Sequence, residues 1–369
     1  MSGLVIACGG TGGHLAPGIA LAEALRKQGC PCWLLISTKT VDARLAEKYA
    51  DLDFIPIPGA AFSLNPWRLA VFISTLLKGY WVSVRLLIRH RPQAVVGFGG
   101  FLTMVVGLAA LTGGYPLMLH EANRRPGRAV RLLARFARRV YLPEGVELKT
   151  IDPERVRHCG YPVRCEVRRL PKALARQRLG VDLQAPLLVV LGGSQGAAFL
   201  NEWALKHAEE LGRRGISMYV IYGPNKPPPH QNESSSNSHA RIYWTPFSED
   251  MAAVLSSADV IVARAGAGSL AEIIRCRVPA ILVPYPYAAD DHQVANAAFM
   301  AKYESARVVS QSDGDALFKE VLNLIGDQVS QSRLRDNLEG LDRTDGLERL
   351  IEDLDLQELT MKAMKRMKK

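Results

Sequence analysis

The sequence contains few of the residues that build disulfide frameworks or zinc sites. Six cysteines are spread over 369 residues, and none of them forms a Cys-x-x-Cys pair. This spacing is not that of a zinc site, and the cysteines are too sparse for a disulfide framework. We therefore expect reduced thiols in a cytosolic protein.

Long uninterrupted apolar runs are also missing. The first residues show no basic segment followed by an apolar one, so we expect no secretory signal. The longest apolar region, 69–88, is interrupted by Lys78 and Arg85 and lacks the ~20 clean residues that a membrane-spanning helix needs. We expect a protein that is soluble or bound peripherally to a membrane.

Basic residues are in excess. Lysine and arginine number 46 against 36 acidic residues, which gives a net charge of +10. Such an excess favours polyanionic partners, namely nucleic acid, phosphorylated substrates or an acidic membrane surface. No RNA- or DNA-binding signature accompanies the basic residues, so we expect no nucleic-acid partner.

The pattern of apolar runs predicts the fold class. Hydrophobic residues make up 48% of the chain, and short β-branched runs alternate with helical patterns. Continuous apolar strands separated by helices indicate parallel sheets covered on both faces. The runs lie at 4–8, 32–37, 94–98 and 116–121, and the pattern restarts at 187–197, 217–223, 260–266 and 280–286. We predict an α/β protein with two doubly wound, Rossmann-like domains that face each other across a cleft.

Each predicted domain opens with a strand that runs into a glycine-rich turn. The two turns are GGTGGH at 9–14 and GGSQGA at 192–197. Glycine allows backbone N–H groups to approach an anion, and the following helix N-terminus adds a favourable dipole. A tight structural turn explains either motif alone, whereas two at corresponding points indicate phosphate or sugar binding.

A third junction between strand and helix lies at 264–272, RAGAGSLAE. Its helix N-terminus offers free N–H groups to a diphosphate. Glu272 follows one turn later, where it could accept hydrogen bonds from ribose hydroxyls or serve only as a carboxylate near the helix N-terminus. The next turn, 283–297, carries Gln293 and the pair Asp290 and Asp291, which suits either an N-cap or, less well, a metal site.

These motifs occur together in one known family. GGTGGH, GFGGF (97–101), HEAN (120–123), GYPVR (160–164), GGSQGA, RAGAGSLAE and PYPYAADDHQVANA (284–297) stand in this order. The chain thereby resembles the MurG family of bacterial peptidoglycan N-acetylglucosaminyltransferases, in glycosyltransferase family 28 with the GT-B fold. The resemblance runs from the N-terminus to about residue 310.

The resemblance implies an enzyme that moves GlcNAc from UDP-GlcNAc to lipid I, undecaprenyl-diphosphate-MurNAc-pentapeptide. The product is lipid II, formed with inversion as a β-1,4 bond. It also implies an acceptor-binding, membrane-associating domain at 1–161, a UDP-GlcNAc domain at 162–341, and a C-terminal helix at 342–369 that packs on the first domain. A GT-B enzyme that uses another lipid acceptor, such as diacylglycerol, is the alternative.

Carried over residue by residue, the resemblance implies a donor site in which Ser194 and the amides at 267–269 hold the diphosphate and Glu272 binds the ribose. Arg164 and Ser248 correspond to positions near the uracil, and Gln293 and Asn123 to residues that read the sugar. The implied UDP-GlcNAc residues are Thr11, Gly12, Gly13, Asn123, Arg164, Ser194, Ser248, Ala267, Gly268, Ser269, Leu270, Ala271, Glu272 and Gln293.

The resemblance makes His14 the candidate base that deprotonates the acceptor hydroxyl, with Glu121 as its rival. The ordinary pKa of histidine suits this task, and a helix N-terminus favours the neutral ring. Gly99, Gly100, Phe101 and Glu121 are implied on the acceptor side. No Asp-x-Asp motif stands at a strand end, so we expect no metal cofactor.

Four residues depart from the family pattern. Phe101 replaces the usual tyrosine, Ala122 a glutamine, Val130 an asparagine and Tyr161 the asparagine of GNPVR. They lie on the acceptor side or at the expected hinge, 160–164. The Pro/Ser/Asn-rich stretch 223–240, where relatives have a helix, is expected to be a mobile loop.

The segment 67–91 is apolar, aromatic and flanked by arginine and lysine. It is either a core helix or, as the family implies, a membrane patch that includes Phe72, Leu76, Tyr80 and Trp81. The basic tail MKRMKK at 364–369 also suits anionic lipid. We therefore expect peripheral attachment to the cytoplasmic side of the inner membrane, with cell-wall and division proteins as further partners.

Overall fold

The computed structural model describes residues 3–10, 12–38, 40–59, 65–224 and 240–354. Thr11, residues 225–239 of the loop predicted at 223–240, and the basic tail lie outside the described residues. The chain divides into two compact units. One contains the residues up to Arg164 together with those from Arg343 onward, and the other is Cys165–Asp342.

The first unit is built on a seven-stranded sheet in which every pair of neighbours is parallel. Its strands in chain order are β1 Leu4–Ala7, β2 Cys32–Ser37, β3 Asp53–Ile57, β4 Ala94–Gly97, β5 Leu117–His120, β6 Arg139–Leu142 and β7 Val156–His158. The strand order is β3-β2-β1-β4-β5-β6-β7. The helices between them are α1 Gly12–Lys27, α2 Thr40–Lys48, α3 Pro66–His90, α4 Gly100–Thr112 and α5 Arg128–Leu133.

The second unit contains a six-stranded parallel sheet of order β10-β9-β8-β11-β12-β13. Its strands are β8 Leu187–Leu191, β9 Ser217–Ile221, β10 Ile242–Thr245, β11 Val260–Ala263, β12 Ala280–Leu282 and β13 Arg307–Val308. Its helices are α6 Lys172–Leu179, α7 Ala198–Arg213, α8 Met251–Ser257, α9 Ala267–Cys276, α10 His292–Lys302, α11 Gly314–Gly326 and α12 Gln328–Leu341. A last helix, α13 Gly346–Asp353, belongs to the first unit.

The central strands β1, β4, β5, β8 and β11 are buried along their whole length. Both faces of such strands are covered, which explains why their sequences are continuously apolar rather than alternating. The strand order reverses direction beside β1 and beside β8, as in doubly wound sheets. The predicted α/β class with two doubly wound domains is confirmed.

One helix begins earlier than its sequence pattern. The amphipathic run predicts a helix from Pro17 to Gln28, whereas α1 already begins at Gly12 and contains Pro17. The glycine-rich first turn has no apolar periodicity by which it could be detected. Pro17 is the sixth residue of α1, beyond the first turn in which proline costs no hydrogen bond, so the helix lacks the amide that would donate to the carbonyl of Gly13.

A buried arginine joins several segments of the second unit. Arg176 in α6 is 2% exposed and donates to the carbonyl oxygens of Ser257 and Leu183 at 3.1 and 2.8 Å. Its Nη2 also donates to Asp259 Oδ2 at 2.8 Å, and the same oxygen accepts the amide of Leu187 at 2.8 Å. The start of β8 and the end of α8 therefore share one charged hydrogen-bond network.

We predict that Arg176→Ala lowers the free energy of unfolding of the second unit by about 3 kcal/mol, the lower end of the cost of breaking a buried ion pair, because Asp259 keeps only the more exposed Lys172 as its partner. Urea unfolding measures this change. The matched control is Arg178→Ala, which removes an exposed arginine 3.4 Å from Asp250 and should cost less than about 1 kcal/mol. Equal losses in the two variants would contradict the prediction.

Candidate functional site

The first glycine turn is held by a buried carboxylate. Asp42 in α2 is fully buried, and its Oδ2 accepts the amide of Gly10 at 2.7 Å and the amide of Ser37 at 3.0 Å. The hydroxyl of Ser37 donates to the same oxygen at 2.6 Å. Gly10 has φ 111°, which glycine adopts readily. Asp42 thus connects the end of β2 to the turn between β1 and α1.

His14 lies in the first turn of α1, against the glycine pair Gly99 and Gly100 of the same unit. Gly99 and Gly100 follow β4 and have φ 94° and 75°. A Cβ atom on Gly99 would lie 3.3 Å from Nε2 of His14, and one on Gly100 would lie 3.2 Å from its Nδ1. Glycine at these positions therefore leaves room for the half-buried imidazole. The fold brings together three residues that the sequence assigned to the site.

Glu121 is committed to the turn that follows β5. It is 5% exposed, and its Oε1 accepts the amides of Ala122 and Asn123 and the side-chain amide of Asn123, all at 2.9 Å. Its Oε2 accepts the amide of Gly127 at 2.7 Å. Both oxygens thus hold the backbone between β5 and α5. This arrangement favours His14 over Glu121 as the candidate base.

A buried histidine and a tyrosine lie beneath the first glycine turn. The ring of His120 is 5.3 Å from that of Phe98 and 6.3 Å from that of Tyr161. Burial lowers the pKa of His120 to about 4, while a hydrogen bond with the backbone of Gly160 acts in the opposite direction. His120 is therefore neutral at pH 7. The hydroxyl of Tyr161 donates to the carbonyl of Gly13 at 2.9 Å.

Three further residues singled out from the sequence pack against other parts of the first unit. Phe101 packs against Phe72 of α3, with ring centroids 5.4 Å apart. Val130 is buried in α5. Arg164, at the end of the unit, is 7% exposed, and its Nη1 lies 3.2 Å from the hydroxyl of Tyr49.

Helix α3 presents a different face from the one predicted. Of the four residues assigned to a membrane patch, only Trp81 is exposed, at 60%, whereas Phe72, Leu76 and Tyr80 are half-buried. Phe72 and Tyr80 lie toward α4, where Phe72 packs against Phe101 and the hydroxyl of Tyr80 lies 2.9 Å from that of Thr112. Among the side chains of this helix that the structure describes, the large exposed apolar ones are Trp67, Val71, Ile73, Leu77, Trp81, Val82 and Ile88.

Within the described residues, one helix segment, Ala70–His90, is long and apolar enough to cross a membrane by length and composition. Its face formed by Gly79, Ser83 and Leu87 is buried, and α3 packs along α4. Core helices of soluble proteins can satisfy the same two criteria. Burial along one side is consistent with a helix that lies on its own domain.

The glycine turn of the second unit follows β8. Gly196 has φ 68°, and a Cβ atom there would collide with the carbonyl oxygen of Tyr222. The side-chain amide of Asn201 donates to the same carbonyl at 3.0 Å. The turn therefore packs directly on the end of β9 and requires glycine. Ser194 stands within it and is half-buried.

The N-terminus of α9 is a candidate anion site of the second unit. Gly266 is the N-cap, and the residues 267–269 are partly exposed. The buried side-chain amide of Asn296 donates to the carbonyl of Ala265 at 3.0 Å and holds the approach to the helix. The first amides of a helix lack intrahelical acceptors and carry the positive end of its dipole, which are the features that bind phosphate at helix N-termini.

The remaining predicted donor residues surround this helix or its neighbours. Leu270 is buried, whereas Ala271 and Glu272 are partly exposed one turn further along α9. Gln293 in α10 accepts the amide of Tyr285 at 3.0 Å through its Oε1. Ser248 contributes a hydrogen bond to Tyr219 of β9, whose pKa is raised overall by burial.

The acidic pair before α10 adopts an unusual backbone. Asp290 and Asp291 have φ 52° and 51°, in the left-handed region that residues other than glycine seldom adopt. Asp291 is the N-cap residue by position, yet its side chain makes no capping hydrogen bond. Asp291 therefore occupies the expected N-cap position of α10, but its side chain does not cap the helix.

Sequence reasoning missed Arg264, the first residue of RAGAGSLAE. Its Nη1 donates to the carbonyls of Val283 and Pro284 at 3.0 and 3.3 Å. Its guanidinium lies over the rings of Phe199 and Tyr285, 5.9 and 5.4 Å from their centroids. It therefore connects the ends of β11 and β12. Asp42 was missed as well, because neither residue forms a recognisable spacing with its partners.

The fold and the site define a class of enzyme. Two parallel-sheet units carry glycine turns at the carboxyl ends of their strands, and one holds a helix N-terminus suited to a diphosphate, as in GT-B glycosyltransferases. Family models identify the particular branch. The glycosyltransferase family 28 N-terminal domain matches residues 4–142, and the glycosyltransferase family 28 C-terminal domain matches residues 187–366. The chain belongs to glycosyltransferase family 28.

Curated relatives share one description, "UDP-N-acetylglucosamine--N-acetylmuramyl-(pentapeptide) pyrophosphoryl-undecaprenol N-acetylglucosamine transferase". The protein of Opitutus terrae is 48% identical over 357 residues, covering 96% of this chain and 95% of the relative. That of Prochlorococcus marinus strain MIT 9211 is 36% identical, with 93% and 94% covered. These relatives confirm the predicted family and the assignment as a glycosyltransferase.

Solved structures agree with this fold. The crystal structure of Acinetobacter baumannii MurG has a TM-score of 0.69 and 25% identity, covering 96% of this chain and 99% of that one. The glycotransferase of kitacinnamycin has a TM-score of 0.67 at 17% identity, with 95% and 98% covered, and supports the fold alone.

We predict that His120 makes the first unit less stable as the pH falls from 6.5 toward 4. In this range the unfolded chain binds a proton on His120 that the folded chain excludes, so stability rises with pH. Urea unfolding at pH 7.5 and pH 5 should show a loss about 2 kcal/mol smaller in His120→Gln than in the unchanged protein. Equal losses would contradict the prediction.

Proposed function

We propose that the protein transfers GlcNAc from UDP-GlcNAc to the 4-hydroxyl of MurNAc in lipid I and so forms lipid II. The observation that carries this proposal is the half-buried His14 held against Gly99 and Gly100 in the first unit. The relatives named for this donor and acceptor, one of them 48% identical over 96% of the chain, supply the substrate class.

The donor is bound by the second unit. The amides at the N-terminus of α9 and the hydroxyl of Ser194 hold the diphosphate, since both lie at the carboxyl ends of parallel strands. Glu272 accepts hydrogen bonds from the ribose hydroxyls. Gln293 reads the sugar with its side-chain amide nitrogen, because its oxygen accepts the amide of Tyr285.

The base acts in a single displacement. A neutral ring nitrogen of His14 takes the proton of the acceptor hydroxyl as its oxygen attacks C1 of GlcNAc. The bond between C1 and the UDP oxygen breaks, and UDP leaves with the electron pair. Attack from the side opposite UDP inverts C1 and gives the β-1,4 bond.

The proposed step requires no metal ion. The charge that develops on the leaving diphosphate is stabilised by backbone amides and the positive end of the α9 dipole. These groups are preorganised, because Gly266 caps the helix and Asn296 holds the residue before it.

We predict that His14→Ala lowers kcat for GlcNAc transfer to a short-chain lipid I by about 10²–10⁴-fold, the range for loss of a general base. UDP-GlcNAc affinity should change less than about twofold, because His14 acts on the acceptor. Transfer of radiolabelled GlcNAc measures the rate, with and without EDTA.

The matched control is His90→Ala, at the far end of α3, which should retain transfer. Full activity in His14→Ala would overturn the assignment of the base, and loss of transfer in EDTA would overturn the metal-free step. UDP-GlcNAc binding without transfer to lipid I would favour another lipid acceptor, such as diacylglycerol.

We also propose that the protein binds the cytoplasmic face of the inner membrane peripherally. Trp67 and Trp81 are 84% and 60% exposed on α3, as expected for aromatic side chains at a lipid interface. Helix α5, which packs on α4 as α3 does, exposes Leu132, and the short 3-10 turn Ala134–Phe136 that follows it exposes Phe136. Division and cell-wall proteins as partners stay a prediction.

Basic side chains accompany Leu132 and Phe136. A surface cavity of about 480 Å³ is lined by Arg128, Arg131, Arg135 and Lys149, with Glu147 as the acidic member. Cations near an anionic membrane surface each contribute about 1 kcal/mol to binding. The cluster thus supplies the electrostatic part of the proposed attachment.

We predict that the double variant Trp67→Ser/Trp81→Ser binds vesicles containing phosphatidylglycerol at least tenfold more weakly, because two large aromatic side chains no longer enter the interface. Flotation at low salt measures binding. The control is Tyr287→Ser, an 80% exposed aromatic residue of the second unit, which should bind normally. Absence of binding by the unchanged protein would refute membrane attachment.

A further inference from the structure

Pro17 removes one hydrogen bond from the helix that carries His14. In an α-helix the amide of each residue donates to the carbonyl four residues earlier. Pro17 lies inside α1 and has no N–H, so the carbonyl of Gly13 receives no donor from position 17. This carbonyl belongs to the same planar peptide group as the amide nitrogen of His14.

A side chain distant in sequence supplies the missing donor. The hydroxyl of Tyr161 donates to the carbonyl of Gly13 at 2.9 Å, across 148 positions of sequence. Its ring lies edge-on to His120, with centroids 6.3 Å apart. His120 is buried and makes a hydrogen bond with the backbone of Gly160, so the tyrosine ring packs against a side chain that is itself held in place.

The segment that carries Tyr161 is held by hydrogen bonds from α13 and the residue before it. Arg349 in α13 donates to the carbonyl of His158 at 2.6 Å, and Asp345 accepts the amide of Gly160 at 3.2 Å. A Cβ atom on Gly160 would collide with the carbonyl oxygen of Arg343. Helix α13 also packs on α1. Helix α13 thus holds both the segment that carries the Tyr161 hydroxyl and the helix α1 whose carbonyl accepts its hydrogen bond.

We propose that Tyr161 is a positioning residue for His14. By replacing the hydrogen bond that Pro17 removes, its hydroxyl fixes the plane of the peptide group between Gly13 and His14. The direction of the Cα–Cβ bond of His14 follows from this plane, and with it the placement of the imidazole against Gly99 and Gly100. The inference rests on the proposed role of His14 as base.

The test uses Tyr161→Phe, which removes the hydroxyl and retains the ring, in two backgrounds. In the unchanged protein we expect kcat for transfer to fall on the order of tenfold, because a displaced base slows the chemical step. The KM for UDP-GlcNAc should change less than about twofold, since the donor is held elsewhere. A purely structural role would not separate kcat from KM in this way.

The second background is Pro17→Ala, which restores an amide donor for the carbonyl of Gly13. There Tyr161→Phe should lower kcat by no more than about twofold, because the hydroxyl has become redundant. Equal losses of kcat in the two backgrounds, or no loss in the first, would overturn the proposal.

The matched control is Tyr115→Phe, whose hydroxyl also donates to a backbone carbonyl, that of Leu87, at 2.9 Å in the same unit. Its kcat should stay within about twofold of the unchanged protein; an equal fall in both variants would overturn a specific role of Tyr161.

Urea unfolding of the four proteins of the Pro17 and Tyr161 cycle tests the hydrogen bond without any assay of transfer. If the unchanged protein transfers no GlcNAc, the proposed function fails, whereas additive unfolding energies overturn the hydrogen-bond coupling itself.

Discussion

The site in each unit depends on one constraint, the direct passage of a parallel strand into a helix. The chain must reverse within a few residues, and the carbonyls and amides of the turn must all find partners or remain available to a ligand. Glycine makes the turn possible at Gly10 and Gly196, both with positive φ. The amides that the following helix leaves unpaired are the groups with which an enzyme of this family can bind phosphate.

In both units, side chains distant in sequence fix the backbone around these strand-to-helix turns through hydrogen bonds. Asp42 holds the first turn through the amide of Gly10, and Tyr161 holds the helix start through the carbonyl of Gly13. In the second unit Asn296 holds the residue before α9, and Arg264 joins the ends of β11 and β12. The geometry of each turn therefore depends on side chains from other elements of the same unit.

The strands and glycine motifs were predictable because their signal is local. The run 32–37 coincides with β2, and 94–98 includes all of β4, since buried parallel strands are continuously apolar and short. The face of α3 was predicted less well. Apolar residues occur on several sides of this helix, so composition could not show that Phe72 and Tyr80 turn toward α4 while Trp67 and Trp81 remain exposed.

Order along the chain was enough to predict the fold class, the family and the residues at each turn, because these depend on backbone conformation and on neighbours in sequence. The roles of Asp42, Arg264 and Tyr161 became visible only in the folded protein. Each acts through a hydrogen bond to a backbone group, 32 positions away for Asp42 and 148 for Tyr161. Nearly every residue carries a backbone donor and acceptor, so the sequence does not show which of them a distant side chain will bind. The packing of distant segments decides these partners.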